Sequence, residues 1–457
     1  MQIACGVDSE PIGRGFKDSR ASGLFRHTSK QASTSCKRLY GARIDFARRD
    51  AFFRAHEWRI CAGLRLMHRW FIHLAALTVP AYWRALALAP AASTWELDRS
   101  IRLISNVKRK TSGRPLDLLE DLYDRESGLT GEGVWHNAHF GAAHLLAARR
   151  IGDGPVGKAI AAELRASAKR LGDSLYELNY DQGFRLRTAS GIWKQPDAAV
   201  ESGGERPSFY EPSRDRRCVS NAAAVIFYSL LSEDTGDDRI GAIGEKFLDL
   251  FFDEKLGRFR RGAVGDGQEY WRSVDQAMAI LACRRLGGDR AAAAAAAAAT
   301  ALRDDFSYGN GRPVNHLGPF PGTRRRNSWH DAFAVYALAL DGDVSELVAM
   351  MRADYESADN GLLAHQARDA GTSPYLGDGS AVHFSCTQAV WAAIGRATDR
   401  TGFETHDAAW RRFDAATSRD GLFVVADAYP NVRLWCNTEP AFWLLVEPDI
   451  FASNSLS

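Results

Sequence analysis

Residues 252–259 read FDEKLGRF and residues 275–281 read DQAMAIL, and the fold is predicted from these two stretches. The first stretch predicts a tight turn, because an Asp side chain bonds nearby backbone groups and a Gly accepts a positive φ. The second stretch starts with an Asp, which favours the start of a helix, and continues with apolar side chains. A helix without a polar face is buried on all sides. The two stretches therefore predict a turn followed by a buried helix.

The same pair of patterns occurs six times along the chain. The turns centre on the glycines Gly128, Gly183, Gly257, Gly311, Gly361 and Gly421. The buried helices are expected to begin at the capping residues Asn137, Asn221, Asp275, Asp331, Thr387 and Asn437. Helices with a clear polar face separate these units, at residues 157–177, 239–252, 290–304 and 344–355. They predict an outer layer around the buried helices.

We predict an all-α fold over residues 94–457, an (α/α)6 toroid of six helical hairpins with short extended segments in its loops. Units of this length mark repeat architectures. Six hairpins that close into a ring leave no end repeat exposed. In the second unit, residues 185–217 form a longer connection. Open helical solenoids are a competing interpretation, but they have shorter loops and a different signature.

The composition is that of a globular chain and excludes several classes of function. The 457 residues are 46% hydrophobic and 25% charged, with a formal net charge of +2. Nucleic-acid binding usually requires a strong basic excess, so we predict no nucleic-acid partner. The seven Cys include no CxxC pair and no nucleotide motif is present, so we predict no metal and no cofactor.

The first 93 residues differ from the rest of the chain and are set apart from the toroid. Residues 1–66 are rich in Ser, Arg and Lys and show no sustained period. Residues 67–93 have a basic start, an apolar centre and an Ala-rich end, as in a secretory signal, but are too interrupted for a stable membrane span. Three interpretations stay open: a true start at Met67, an organelle transit segment before a second signal, and an ordinary amphipathic helix. Targeting would place the protein in an organelle or the secretory pathway, and otherwise it is cytoplasmic.

Four stretches of the chain carry a resemblance to a known superfamily. They are residues 252–259 (FDEKLGRF), 270–277 (YWRSVDQA), 327–332 (NSWHDA) and 435–440 (WCNTEP). Over roughly residues 95–450 the chain resembles the six-hairpin glycosidase-like superfamily, and most of all the N-acylglucosamine 2-epimerase-like proteins. This resemblance implies the toroid fold and an enzyme that acts on sugars. It also implies a pair of catalytic histidines, one of them in a His-Pro-Gly-His-type segment, which this chain lacks.

The polar residues at the starts of the buried helices are the candidates for chemistry, because in such a ring these starts point into a common funnel. Sugar hydrolysis needs two carboxylates, one of them with a raised pKa. Epimerisation beside a carbonyl needs an acid and a base, and histidine suits both roles near neutral pH. The candidate catalytic residues are His136, His330, His316, Glu132, Glu269 and Glu439.

Aromatic and charged residues near the same positions are the candidates for substrate binding, because aromatic rings stack on sugar faces. The candidates are Trp135, Trp271, Trp329, Trp435, Tyr210, Arg272 and His383. Each of these rings is also explained by core packing. The Asn, Asp and Thr residues in the same regions are explained by helix capping.

Two classes of function remain from the sequence. The first is a carbohydrate-active enzyme, either a sugar epimerase or isomerase or a glycoside hydrolase, with a small sugar or an oligosaccharide as its partner. The second is a non-catalytic or degenerate toroid that serves as a binding scaffold, which the missing histidine segment favours. A terpenoid-cyclase-like or prenyltransferase-like barrel is a third alternative, with Asp304-Asp305 as its nearest acidic motif. The sequence predicts no oligomeric state.

Overall fold

A computed structural model describes the greater part of the chain beyond Ser93. The described residues are 94–111, 134–151, 154–181, 185–186, 217–264, 270–318, 326–367, 382–398, 402–424, 426, 432 and 434–452. The chain divides into two units, Met1–Pro80 and Ala81–Ser457, and every described residue belongs to the second. The predicted targeting segment, residues 1–93, lies outside the described residues, as do the predicted turns at Gly128 and Gly183.

Within the described residues, twelve α-helices alternate between an outer and an inner layer. The outer helices are α1 (Trp95–Thr111), α3 (Pro155–Asn179), α5 (Arg239–Phe251), α7 (Gly288–Asp304), α9 (Ser345–Tyr355) and α11 (Glu404–Thr417). The inner helices are α2 (Val134–Arg150), α4 (Cys218–Thr235), α6 (Ser273–Leu286), α8 (Ser328–Ala339), α10 (Ser385–Ala397) and α12 (Trp435–Trp443). Short 3-10 helices at Tyr308–Asn310 and Pro448–Phe451 complete the helical structure of this part of the chain.

The inner helices form a closed ring. Each inner helix packs against the next one along the chain, and α12 packs against α2. Almost every residue of these helices is buried, in α4 from Cys218 to Leu231 without a gap. A helix that is apolar on all sides needs neighbours on all sides, and the ring together with the outer helices supplies them. The predicted (α/α)6 toroid is confirmed.

The outer helices are amphipathic, as predicted, and their observed bounds lie within two residues of the predicted ones. Helix α7 carries the alanine run of residues 291–299. Ala291, Ala294 and Ala298 face the ring and are buried, while Ala292 and Ala293 are exposed. The run is therefore explained by the high helix propensity of alanine at an outer position.

Among the described residues, two short antiparallel strand pairs lie between the helices of hairpins two and three, and a third connects hairpin three with hairpin four. They are β1 (Tyr180–Asp181) with β2 (Arg185–Leu186), β3 (Phe252–Asp253) with β4 (Arg258–Phe259), and β5 (Trp271–Arg272) with β6 (His316–Leu317). The four turn glycines that the structure describes all have a positive φ, with values from 63° to 77°, at Gly257, Gly311, Gly361 and Gly421. The turn positions predicted there are confirmed, because only glycine adopts this conformation without strain.

A carboxamide side chain fastens the segment after the turn to the inner helix in three hairpins. The amide of Gln276 accepts a hydrogen bond from the backbone N–H of Phe259 and donates one to its carbonyl, both at 2.7 Å. Gln388 bonds Leu363 in the same way at 3.0 and 2.9 Å. Asn437 bonds Phe423 at 2.8 and 3.1 Å. We call these contacts the carboxamide clamps. They satisfy the buried backbone groups of a segment that belongs to no extended sheet.

The predicted capping role of the six helix-start residues is wrong, because all six lie inside the first turn of their helices. A side chain of a predicted type does cap α8, where Asn327 accepts a hydrogen bond from the backbone N–H of His330. Asp275 instead accepts a hydrogen bond from the backbone N–H of Val219 at 3.1 Å and so connects two neighbouring inner helices. Asn437 bonds Phe423 within its own hairpin.

The ring closes where the first hairpin meets the last. The Arg99 guanidinium in α1 donates to the carbonyl of Gly421 at 2.7 Å and to the carboxylate of Asp414 at 2.6 Å. Ser100 donates to the carbonyl of Ala441 at 2.6 Å. Arg99 and Asp414 are buried, and breaking a buried pair leaves an uncompensated charge. These contacts hold together two regions that lie far apart in the sequence.

The carboxamide clamps predict the effect of one substitution on stability. Gln388→Leu removes both bonds to Leu363 and leaves two buried backbone groups without partners. We expect a loss of about 3 kcal/mol in the free energy of unfolding, measured by urea denaturation. Arg303→Leu on the exposed face of α7 is the control, with an expected change within about 0.5 kcal/mol. Equal stabilities for the two variants would show that the clamps do not hold the ring.

Candidate functional site

Three inner helices meet at Glu439. Trp135 stands at the start of α2, Trp329 at the start of α8, and Glu439 in α12. The indole N–H of Trp135 donates to Oε2 of Glu439 at 3.2 Å, and the indole N–H of Trp329 donates to Oε1 at 2.8 Å. The two indole rings lie edge to face with centroids 6.0 Å apart. Hairpins one, four and six therefore converge on one carboxyl group.

The carboxyl group of Glu439 is protonated at neutral pH. Burial raises its pKa to about 8, and the bonds from the two indoles lower it only in part. Desolvation dominates because a charged carboxylate is unfavourable away from water. A carboxylic acid that keeps its proton at pH 7 has the property required of a general acid.

A second group of side chains surrounds His330, in the first turn of α8. The His330 ring lies 5.3 Å from the ring of Trp329, which bonds Glu439. The ring of His316 lies 5.2 Å from the ring of His330. His316 belongs to β6, and its partner across the strand pair is Arg272. The short strand pair β5–β6 thus brings His316 beside a helix start that is distant in sequence.

The imidazole of His330 has unused hydrogen-bonding capacity. It is fully buried, and neither Nδ1 nor Nε2 has a hydrogen-bond partner among the described residues. Burial, followed by the charges of His316 and Arg272, holds its pKa well below the usual value. A buried polar group normally finds a partner. His330 is therefore a neutral imidazole whose two ring nitrogens have no hydrogen-bond partner among the described residues.

Further buried basic residues lie close to His330. Arg272 binds Asp275 through two bonds of 2.8 and 3.0 Å. Burial, followed by the charges of Arg272 and Arg217, lowers the pKa of Arg261 to about 10. Burial also lowers the pKa of His365 to about 4. After burial and the charge of His316, the charge of Arg272 contributes to the low pKa of His330.

The other predicted site residues have different environments. His136 is buried in the first turn of α2, and Trp435 is buried with its ring 5.9 Å from that of Phe384. The Trp271 ring carries the Arg258 guanidinium 4.4 Å above it. The His383 ring bonds the hydroxyl of Ser357 at 2.7 Å. Three predicted residues lie outside the described part of the chain, namely Glu132, Glu269 and Tyr210.

The two acidic residues near the helix starts of α6 and α8 are committed to other partners. Asp275 forms a buried salt bridge with Arg272. Asp331 forms a salt bridge with Arg326 at 2.7 Å. It also accepts hydrogen bonds from the hydroxyl groups of Tyr308 and Tyr355 at 2.7 and 2.6 Å. Both carboxylates therefore serve the framework. Among the described residues at the inner-helix starts, Glu439 is the acid that is held by neutral donors.

Aromatic rings fill the axis of the toroid below this level. Phe333 lies one turn below Trp329, at a centroid distance of 5.0 Å, and the ring of Trp443 is 5.2 Å from Phe333. Tyr336 lies 5.0 Å from Trp443. The described rings therefore close the axis of the toroid on this side of Glu439.

Two members of the basic group, Arg261 and His365, were not among the candidates from the sequence. Both occupy the same position after a turn glycine, Gly257 and Gly361 respectively. In three hairpins the residue that a carboxamide clamp binds lies between this glycine and the inner helix. The residues that follow the bound residue therefore run beside the starts of the inner helices. Residues that follow a turn glycine are therefore also candidates for the site, although they do not lie at the helix starts.

Within the described residues, no group of three metal-ligating side chains is assembled. None of the helices in that part of the chain is long and apolar enough to cross a membrane. Cys218, Cys283, Cys386 and Cys436 are buried.

The raised pKa of Glu439 predicts how stability depends on pH. In the unfolded chain this carboxyl ionises near its ordinary pKa of 4.5, whereas the folded protein keeps the proton up to about pH 8. Between these values the folded state binds more protons than the unfolded state. The contribution of Glu439 to stability therefore falls as the pH rises, by at most about 1.4 kcal/mol per pH unit.

Urea denaturation of the wild type and Glu439→Gln at several pH values from 5 to 8 measures this contribution as a difference. We expect the wild type to lose stability relative to the variant across this range. A difference that stays constant with pH would contradict the raised pKa.

Comparisons with known proteins agree with this architecture. No protein-family model matches the sequence, and no curated protein matches it at a significant level. Solved structures do match. Cellobiose 2-epimerase from Bacillus thermoamylovorans B4167 superposes with a TM-score of 0.53 at 12% identity, covering 78% of this chain and 98% of the epimerase. A D-mannose isomerase gives 0.51 at 12% identity, with the same coverage of 78% and 98%.

A family 76 glycoside hydrolase from a bovine Bacteroides thetaiotaomicron strain gives a TM-score of 0.51 at 12% identity, with 77% of both chains covered. Sequence identities this low support a shared fold and do not establish a shared activity. The closed ring of inner helices and these superpositions lead to one conclusion. The chain has the six-hairpin glycosidase-like fold, an (α/α)6 toroid.

Proposed function

We propose that this protein is a sugar epimerase or isomerase that moves a proton at the carbon next to the carbonyl of an open-chain sugar. The observation that carries the proposal is the pair of imidazoles, His316 and His330, 5.2 Å apart and linked through Trp329 to the protonated Glu439. Such a reaction needs a neutral base, a second group for proton return, and an acid near the carbonyl oxygen. The three side chains match these three needs.

The reaction follows from the protonation states. A neutral His330 removes the proton from the carbon beside the carbonyl. The C–H electron pair then forms the carbon–carbon double bond of an enediol, and the carbonyl π pair moves to oxygen, which receives a proton from Glu439. For epimerisation, the protonated form of His316 gives a proton to the same carbon from the opposite face, while the former carbonyl oxygen returns its proton to the Glu439 carboxylate and the carbonyl re-forms; proton exchange with solvent then restores the two imidazoles. For isomerisation, the protonated His330 gives its proton to the former carbonyl carbon, while the hydroxyl on the other enediol carbon gives its proton to the Glu439 carboxylate and becomes the new carbonyl.

The environment of His330 supports its role as the base. Burial and nearby positive charges keep its pKa low, so the ring is unprotonated at neutral pH and free to accept a proton. Once protonated it is unstable in this positive surrounding, so it returns the proton readily. The buried imidazole of His330 would act as a base when a bound substrate excludes water and forms hydrogen bonds with its ring nitrogens.

Glycoside hydrolysis is the second candidate, because a carboxylic acid with a raised pKa is one half of the pair that hydrolysis needs. Glu439 supplies that half. The described carboxylates Asp275 and Asp331 are bound to arginines, which argues against either as the second half. The structural neighbours include both classes, an epimerase and an isomerase as well as a hydrolase. Of the two candidate reactions, epimerisation or isomerisation is favoured over hydrolysis by the pair of histidines, His316 and His330.

The proposal predicts exchange of a sugar proton with solvent. In deuterium oxide the purified protein is expected to introduce deuterium beside the carbonyl of at least one of a panel of reducing sugars that includes D-mannose, D-glucose and cellobiose. Proton NMR follows the loss of the corresponding signal. We expect His330→Asn to slow this exchange by about 100-fold or more, since the base is removed.

The matched control is His406→Asn, which alters a buried histidine of the outer helix α11. We expect this variant to keep the exchange rate of the wild type. Release of reducing ends from oligosaccharides that depends on Glu439, without any deuterium uptake, would replace the proposal by hydrolysis. The absence of both reactions with every sugar of the panel would favour a binding scaffold.

A further inference from the structure

The ring of His139 lies against the indole that bonds Glu439. His139 is in α2, one turn after Trp135, and the centroids of their two rings are 4.1 Å apart. The His139 ring is also 5.1 Å from that of Phe442, which follows Glu439 by three residues in α12. Residues three apart in a helix lie on the same face. His139 and Glu439 are therefore neighbours around the indole of Trp135.

The hydrogen bond that His139 makes decides which of its nitrogens carries the proton. Nδ1 lies 2.9 Å from the backbone carbonyl oxygen of Trp135. A carbonyl oxygen only accepts, so Nδ1 is the donor, and the neutral ring then presents Nε2 as an acceptor. The side chain is buried, and burial lowers its pKa to about 3, which keeps the ring neutral. Nε2 has no hydrogen-bond partner among the described residues.

The carboxyl group of Glu439 has the opposite need. Within the described part of the chain, both of its hydrogen bonds come from N–H donors, the indoles of Trp135 and Trp329. As a neutral acid it also carries an O–H of its own, and neither bond uses that proton. Buried donors and acceptors normally have partners. A donor at Glu439 and an acceptor at His139 thus lie beside one indole, and the described residues satisfy neither.

We infer that His139 accepts a hydrogen bond from the hydroxyl group next to the carbonyl of the sugar, while Glu439 donates to the carbonyl oxygen. The inference rests on the proposed function and adds His139 as a residue that determines specificity. A carbonyl oxygen is an acceptor only, and the neighbouring hydroxyl group is a donor. The two groups of a 2-hydroxy aldehyde therefore complement Glu439 and His139. During epimerisation this hydroxyl group keeps its proton, so the contact persists in the enediol.

A sugar that lacks this hydroxyl group leaves the buried Nε2 of His139 without a donor. Sites that bond a substrate hydroxyl group discriminate strongly against analogues without it, because their own buried polar group is then unpaired. The sugar 2-deoxy-D-glucose differs from both D-mannose and D-glucose only by the absence of the 2-hydroxyl group. It is therefore the matched analogue of both.

Deuterium exchange at the second carbon, followed by proton NMR with the full chain, gives kcat/KM for the hydroxylated sugar and for 2-deoxy-D-glucose. For the wild type we expect a preference of at least about 100-fold for whichever of D-mannose and D-glucose exchanges faster. The hydroxyl group also changes the acidity of the neighbouring C–H bond. The change of this ratio between wild type and variants is therefore the quantity that tests His139.

Variants of His139 separate the hydrogen bond from packing. His139→Phe keeps a ring against Trp135 and removes the acceptor, so the ratio should fall by about 10-fold or more. His139→Leu should lower the ratio in the same way and is the second variant if His139→Phe does not fold. His139→Gln keeps an acceptor and should retain part of the preference. A variant that only disturbs packing slows exchange of both sugars alike and leaves the ratio unchanged.

The matched control is His144→Phe in the same helix. His144 is buried, and its Nδ1 also lies within hydrogen-bonding distance of a backbone carbonyl four residues earlier, that of Phe140, at 2.6 Å. The substitution therefore removes a similar side chain and a similar local bond. We expect it to leave the ratio within about 2-fold of the wild type. Circular dichroism shows whether each variant folds.

The outcomes separate this inference from the proposed function. A ratio that is unchanged in His139→Phe and His139→Leu overturns the inference, while exchange by the wild type leaves the proposed function standing. If the wild type exchanges no sugar, the proposed function fails, and isothermal titration with the same sugars still tests His139. Tighter binding of the hydroxylated sugar that is lost in His139→Phe then supports His139 as the hydroxyl acceptor. Equal binding of the hydroxylated and 2-deoxy sugars by the wild type overturns it.

Discussion

The structure depends on how the segment after each turn is fastened to its inner helix. An inner helix that is apolar on all sides buries the chain that leads into it, and the backbone groups of that chain then need partners. In three hairpins a single carboxamide, from Gln276, Gln388 or Asn437, satisfies the N–H and the carbonyl of one residue. This contact fixes the distance between turn and helix. The segments between them are then free to line the N-terminal end of the ring.

That end of the ring is where burial and polarity meet. The carboxyl of Glu439 keeps its proton and the imidazole of His330 loses its own, each for the same reason, because desolvation favours the neutral form. The pair thus provides an acid and a base at neutral pH without any ion pair between them.

The sequence was sufficient for the fold because turns and buried helices leave strong local patterns. The described turn glycines and the bounds of the outer helices agree with the patterns. The role of the helix-start residues did not follow, because a side chain such as Asp275 bonds a neighbouring hairpin, and no local pattern reveals that contact. The hydrogen bonds from Trp135 and Trp329 to Glu439 connect three hairpins and form only when the ring closes. No local pattern in the sequence therefore predicts them. Arg261 and His365 lie on extended segments whose position depends on the clamps, so their place near the site was also hidden.

A crystal structure with an open-chain sugar analogue such as D-mannitol tests whether Glu439 and His330 form the site, because the ligand shows where the site lies. We expect a polyol at the N-terminal end of the inner helices, with hydroxyl groups within hydrogen-bonding distance of the His330 ring nitrogens and of Glu439. A polyol bound elsewhere on the toroid, or a saturated crystal whose His330 and Glu439 contact only protein atoms, would contradict it.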